Sequence, residues 1–262
     1  MINFDKIVNK LSKKEWQILS IYEIWSIFDP DFRKWSTKNI SSIYKIIYRL
    51  KALDIIIPIK NSLYFINNNK KIKDIEIIDL YYWKILKKII SDTVWSDYFI
   101  WNIKALEILL NDYSISPKII VYNKEVDKKV TLSKKHKIIF KILISWKKSE
   151  NTNIFTKLKK FTKTISINNL SLRISNKELS ILDSLLIRDN KNKIDSYLVN
   201  KFLNKYSLHL SREKLWELVK LKYITSVNRL KEISVQNNYN FLYTHCLDII
   251  KREWWNCFLT KR

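Results

Sequence analysis

The chain has 262 residues, 47% of them hydrophobic, a net charge of +24, ten tryptophans and no glycine. That length and apolar content suit a folded protein of one large or two small domains, each with its own core. Apolar runs such as Ile55-Ile56-Ile57 are far too short to span a membrane, and the charged start MINFDKIVNK does not read as a signal peptide, so a cytoplasmic protein with no disulfide is expected.

In chain order, Ser12-Lys13-Lys14-Glu15 has the spacing of a capping box. It predicts a helix from Ser12 to about Ile27, burying Ile18, Leu19, Tyr22 and Ile24 and ended by Asp29-Pro30-Asp31. Phe32 to Trp35 reads as one short turn. Ser36 or Thr37 then caps a second helix whose apolar stripe is Ile40, Ile43, Ile46, Ile47 and Leu50. Its opposite face carries Lys38, Ser41, Ser42, Lys45, Tyr48 and Arg49, with no carboxylate. "DIIIPIKNSLYFIN" predicts a two-stranded hairpin turning at Lys60-Asn61-Ser62.

Helix, turn, helix and hairpin is the order of a winged helix-turn-helix over residues 1–70. The outward side chains of such a second helix reach base edges in the major groove, and a basic hairpin tip (Lys60, Asn61) reaches the adjoining backbone. The acid-free face favours double-stranded DNA over a packing role. A linking helix follows over 71–91.

From residue 92 onward the pattern is mixed, which indicates an α+β domain. "DYFI" is a strand and Asn102 caps a helix. Lys118–Tyr122, Lys129–Leu132 and His136–Leu143 are strands, and "TISIN" and "LSLRIS" form a second pair. Helices are predicted over Asn176–Ile187, Ile194–Tyr206, Ser211–Leu221, Ser226–Ile233 and Phe241–Glu253.

The net charge suggests a polyanionic partner, although an AT-rich gene supplies lysine without selection for one. Residues 1–92 hold 17 Lys and Arg against 10 Asp and Glu, a net +7, whereas residues 93–262 carry +17. The densest stretch, 124–163, has 13 basic and 3 acidic residues. Aromatic residues are not interleaved with that stretch in the way single-strand stacking needs, which disfavours a structural RNA-binding protein.

Average usage predicts roughly 18 glycines in a chain this long. Trp25-Ser26, Ser145-Trp146-Lys147-Lys148-Ser149 and Trp254-Trp255-Asn256 lie in polar, turn-like company. The reading adopted is a recoded gene in which UGA specifies glycine, so no tryptophan is taken as a binding residue.

Catalytic patterns are missing. With Trp25 read as glycine, "GSIFDPD" has the residues of a nucleotidyltransferase signature. Asp29 and Asp31, however, flank a proline too close to the turn to hold two metals. "SWKKS" lacks the spacing of a phosphate-binding loop. His245, Cys246 and Cys257 lack paired metal-ligand spacing. The expectation is no enzyme, no metal and no cofactor.

Three segments carry a resemblance: "YFIWNIKALEILLNDYSISPKIIVYNK", "ISNKELSILDSLLIRD" and "REKLWELVKLKYITSVNRLKEI". They resemble the AbiEi family of antitoxins and transcriptional regulators of type IV toxin–antitoxin systems, which serve viral defence. The matching features are Tyr98 to Leu106, then Glu178, Leu182 and Asp183, then the helix around Leu215 to Val219. The chain's "REWWNCFL" looks like a family-style "EGGNCFL". The resemblance implies a winged helix followed by an α+β antitoxin domain over 92–262. It also implies repression of the protein's own promoter and neutralisation of a nucleotidyltransferase toxin, and it invites a role for Glu178 and Asp183. The alternative reading of those two is a helix-start acid favoured by the macrodipole and a surface aspartate. The alternative function is a plain regulator with an effector- or partner-binding second domain.

Overall fold

The computed structural model describes residues 4–14, 17–28, 37–60, 62–67, 74–142, 154–186 and 195–259, with the backbone alone at 28, 37–40, 74–75 and 254–259. Its first helix, α1, spans Phe4–Ser12. Ser12 therefore closes a helix and does not open one. Its hydroxyl donates to the Asn9 carbonyl at 2.9 Å, one of the acceptors a helix end leaves without a partner. Glu15 of the expected capping box lies outside the described residues. The box that forms is eight residues later. The Ser20 amide donates to Glu23 Oε2 at 2.7 Å, and the Glu23 amide donates to Ser20 Oγ at 3.2 Å. This reciprocal pair opens α2, Ile21–Phe28. Ile18 and Leu19, expected on the buried face of a long helix, instead form a strand, β1 (Ile18–Ser20).

Helix α3 spans Thr37–Ala52, followed by β2 (Ile56–Pro58) and β3 (Leu63–Ile66). The three strands form an antiparallel sheet in the order β1-β3-β2, with Phe65 opposite both Ile18 and Ile57. Ile7, Leu11, Ile24, Ile43, Ile47, Leu50, Ile56 and Ile66 make one core between helices and sheet. The next helix, α4 (Asp74–Val94), packs Tyr81 on Phe65 with ring centres 4.7 Å apart. Its Lys88 pairs with Glu23 at 2.6 Å and Asp92 at 2.9 Å. Residues 1–92 and 131–136 form one compact unit. Within it, α4 is part of the packing as far as Asp92.

The second unit comprises residues 93–130 and 137–262. Its strands are β4 (Tyr98–Trp101), β5 (Lys118–Asn123), β6 (Lys128–Thr131), β7 (Lys137–Ile142), β8 (Thr162–Ile167) and β9 (Leu170–Ser175). They form a six-stranded sheet in the order β6-β7-β5-β4-β9-β8. The sheet is mixed: β4–β5 and β8–β9 are antiparallel, whereas β4–β9 and β5–β7 are parallel. Its helices are α5 (Ile103–Leu109), α6 (Ile154–Lys159), α7 (Lys177–Ser184), α8 (Ser196–Tyr206), α9 (Arg212–Leu218), α10 (Ile224–Gln236) and α11 (Asn240–Leu259). Side chains of Asn102, Asn176, Asp195 and Ser211 cap α5, α7, α8 and α9. Phe99, Phe140, Phe155, Leu179, Leu182, Phe202, Leu215 and Val227 are wholly buried. The chain is α+β, as its element pattern indicates.

Without glycine, the turns are made by other residues. Nine described residues have φ between 50° and 72°, and six of them are Asn or Asp, the residues that tolerate this region best after glycine. Asn168 and Asn169, at φ 50° and 61°, connect β8 to β9 as a two-residue hairpin that needs both signs positive. One tryptophan joins the set. Trp95, just past α4, has φ 53° and is 84% exposed. The turn reading fails at Trp25, which is buried inside α2, and at Trp254 and Trp255, which lie within α11. Trp83 and Trp101 are also buried. Residues 145–149 lie outside the described residues.

Candidate nucleic-acid interface

Helix α3 divides into two faces. Ile43, Ile47 and Leu50 are buried, while Ser41, Ser42, Lys45, Tyr48 and Arg49 are exposed. At 3.6 residues per turn the exposed set spans about a third of the circumference, opposite the buried set. No Asp or Glu occurs anywhere in α3, and Arg49 and Lys51 lie in its last turn, where cations complement the helix dipole. The Arg49 guanidinium sits over the Phe4 ring of α1 at 4.1 Å, and Lys51 over Tyr64 of β3 at 5.6 Å. Lys38 belongs to α3, but its side chain is outside the described residues. Tyr44, 59% exposed beside Tyr48 at 76%, adds an aromatic to this surface beyond the residues the sequence points to. An aromatic in an Ile-rich run reads as core, and only the helical wheel would have placed it outside.

At the hairpin, Lys60 is exposed and its carbonyl accepts from the Leu63 amide at 3.0 Å. Asn61 lies outside the described residues. The Ser62 carbonyl accepts from the Ile21 amide at 2.9 Å, tying the hairpin to the start of α2. In the same unit, burial opposes ionisation of Glu23. Hydrogen bonds from Lys88 and Ser20 outweigh it and hold the carboxyl below its ordinary range.

In the second unit, Glu178 and Asp183 are both buried, at 2% and 0% exposure. Asp183 is therefore no surface aspartate. Glu178 Oε1 accepts from the Ser211 amide at 3.1 Å, at the capping residue of α9. Asp183 Oδ1 accepts from the Tyr223 hydroxyl at 2.6 Å. The two acids of α7 thus tie it to the start of α9 and to the turn before α10. Their buried, hydrogen-bonded carboxylates shape the unit and are not offered to solvent.

Elsewhere, Asp97 accepts from Lys124 at 2.7 Å and from Lys159 at 2.6 Å, and these hydrogen bonds hold its pKa at about 2. A cavity of about 300 Å³ is lined in part by Lys104, Glu107, Ser116 and Lys118. Its Lys104 already bonds Glu107 and the Ser114 carbonyl. Cys246 is buried, and burial pushes its thiol up to about 12. Among the described residues no group of His, Cys, Asp and Glu is placed to hold a metal ion, and no helix is long and apolar enough to cross a membrane. The sequence matches no protein-family model and no curated protein.

Proposed function

We propose that the chain is a DNA-binding repressor with a winged helix-turn-helix, and an AbiEi-like antitoxin whose second unit neutralises a nucleotidyltransferase toxin in the cytoplasm. The outer face of α3 carries this reading. It presents hydroxyls, an amine, a phenol and a guanidinium with no carboxylate to repel phosphate. The order α1-β1-α2-α3-β2-β3, with β3 central in its sheet, supports the winged-helix assignment. α3 then enters the major groove, and Lys60 meets the flanking backbone.

The antitoxin role rests on the resemblance in Tyr98 to Leu106 and Glu178 to Asp183. Because Glu178 and Asp183 are buried, they act by holding α7, α9 and α10 together, and a toxin would meet other residues. The test is co-expression of the full chain with the product of the neighbouring gene, alongside a reporter driven by the chain's own promoter. Restored growth together with a silenced reporter supports both roles. A silenced reporter without rescue leaves a plain transcriptional regulator.

A further inference from the structure

Two lysines from separate helices lie over one tyrosine in the second unit, and a third stands close to them. Lys177, in the first turn of α7, lies over the Tyr206 ring at 5.6 Å, and Lys205 of α8 lies over the same ring at 5.1 Å. Tyr206 is fixed, because its hydroxyl donates to the Leu109 carbonyl at 2.7 Å. Lys177 is fixed too, donating to the His209 carbonyl at 3.0 Å. Lys163 of β8 stands opposite Ile174 of β9 in the strand register, and Ile174 is three residues before Lys177. Although Lys163 is exposed, its ammonium is pushed below the ordinary lysine range by partial desolvation and then by the charges of Lys177 and Lys205, partly offset by Glu178. That one carboxylate is buried and already accepts the Ser211 amide.

One turn before Lys205 on α8 stands exposed Lys201, and one turn before that Tyr197, 75% exposed. Folding thus brings aromatic and basic side chains together in a way the linear sequence does not show. Like charges gathered this way raise the energy of the empty protein, and an anion that bridges them relieves it. Three cations on separate elements match a ligand with several phosphates better than a single carboxylate.

We propose that Lys177 and Lys205 over Tyr206, together with Lys163 on the neighbouring strand, form a binding site for an anion carrying two or more phosphate groups in series. The phosphates belong either to a free nucleotide or to a nucleic-acid strand, whose first base would stack on Tyr197. This site is separate from α3 and does not depend on the DNA-reading role.

The test is equilibrium binding of the full chain to two probes, adenosine triphosphate and a short single-stranded oligodeoxynucleotide, by calorimetry or fluorescence anisotropy. Lys205→Gln and Lys163→Gln are compared with the α3 variant Lys45→Ala/Arg49→Ala. Both replaced lysines in the second unit are exposed, and a thermal melt of each variant checks that it folds. Each second-unit substitution is expected to weaken binding about tenfold, and the α3 variant to leave binding of the triphosphate within about twofold. Loss confined to the triphosphate identifies a nucleotide site, and loss confined to the oligonucleotide identifies a strand site. If neither probe binds, or if folded Lys205→Gln and Lys163→Gln bind both probes as the wild type does, the proposal is overturned.

Discussion

The Arg49 guanidinium lies 4.1 Å from the centre of the Phe4 ring, so the last turn of α3 is steered by the first residue of α1. A cation over an aromatic face contributes about 0.5–1 kcal/mol at an exposed site and narrows where the guanidinium points. Phe4→Leu keeps apolar bulk against the core and removes the ring. It should cost about that much stability in a urea melt and weaken promoter binding a few-fold. Arg49→Ala should weaken binding further while costing no more stability.

The reciprocal bonds of Ser20 and Glu23 make a second prediction. Ser20→Ala should destabilise by about 1 kcal/mol, the usual value of a capping side chain. Glu23→Gln keeps an acceptor for Ser20 and removes only the charge facing Lys88. That pair is partly exposed, so the loss should be about 0–1 kcal/mol. Chemical denaturation of the two variants ranks them, and a larger effect for Glu23→Gln would assign the stability to the ion pair.

Much of this architecture is legible in the sequence, for local reasons. The stripe of Ile43, Ile47 and Leu50 marks the buried face of α3, and Asn102 and Asn176 cap α5 and α7 through side chains a few atoms from the amides they accept. The sequence misleads where local signals compete. Ser12 and Ser20 are both followed at the third position by glutamate, and only the pairing of Ile18–Ser20 with β3 decides between them. The approach of Lys177 and Lys205 to Tyr206, and of Lys163 to those two lysines, is set by the β8–β9 hairpin and the packing of α7 on α8, relationships with no sequence periodicity. Burial of Asp183 depends in the same way on Tyr223, a residue 40 positions away.

Asp97 predicts an acid-sensitive contribution to stability. Hydrogen bonds from Lys124 and Lys159 hold its folded pKa at about 2, below the ordinary 3.8. Its contribution is therefore complete above about pH 5 and is lost as pH falls through the folded value. About a third of the side chain is exposed, so solvent screening reduces the effect to the order of 1 kcal/mol. The stability difference between wild type and Asp97→Asn, measured by urea denaturation, should shrink by that amount between pH 5 and pH 2. A difference that stays constant would mean the lysines do not hold the ionised form.

The tryptophans give the fourth prediction. Trp95, at φ 53° and largely exposed, occupies the position after a helix where glycine costs least, so Trp95→Gly should stabilise by about 1 kcal/mol. Trp25, Trp83 and Trp101 are buried, and glycine there should destabilise by about 3–5 kcal/mol. Thermal melts test both signs. Whether the native host inserts glycine at these codons is read from one tryptic peptide, residues 89–104, which contains Trp95 and Trp101. Recoding predicts glycine masses at both positions, and tryptophan at both would end that reading.

The central claim is that α3 reads DNA, and the most direct measurement is binding of the full chain to a duplex of its own promoter across a salt series. The wild type should bind with an affinity that falls steeply as salt rises. Lys45→Ala/Arg49→Ala should bind at least about tenfold more weakly, with a log–log salt slope shallower by about 2, one for each phosphate the double variant no longer neutralises. A folded double variant with wild-type affinity and an unchanged slope would contradict the assignment of α3 as the DNA-reading helix.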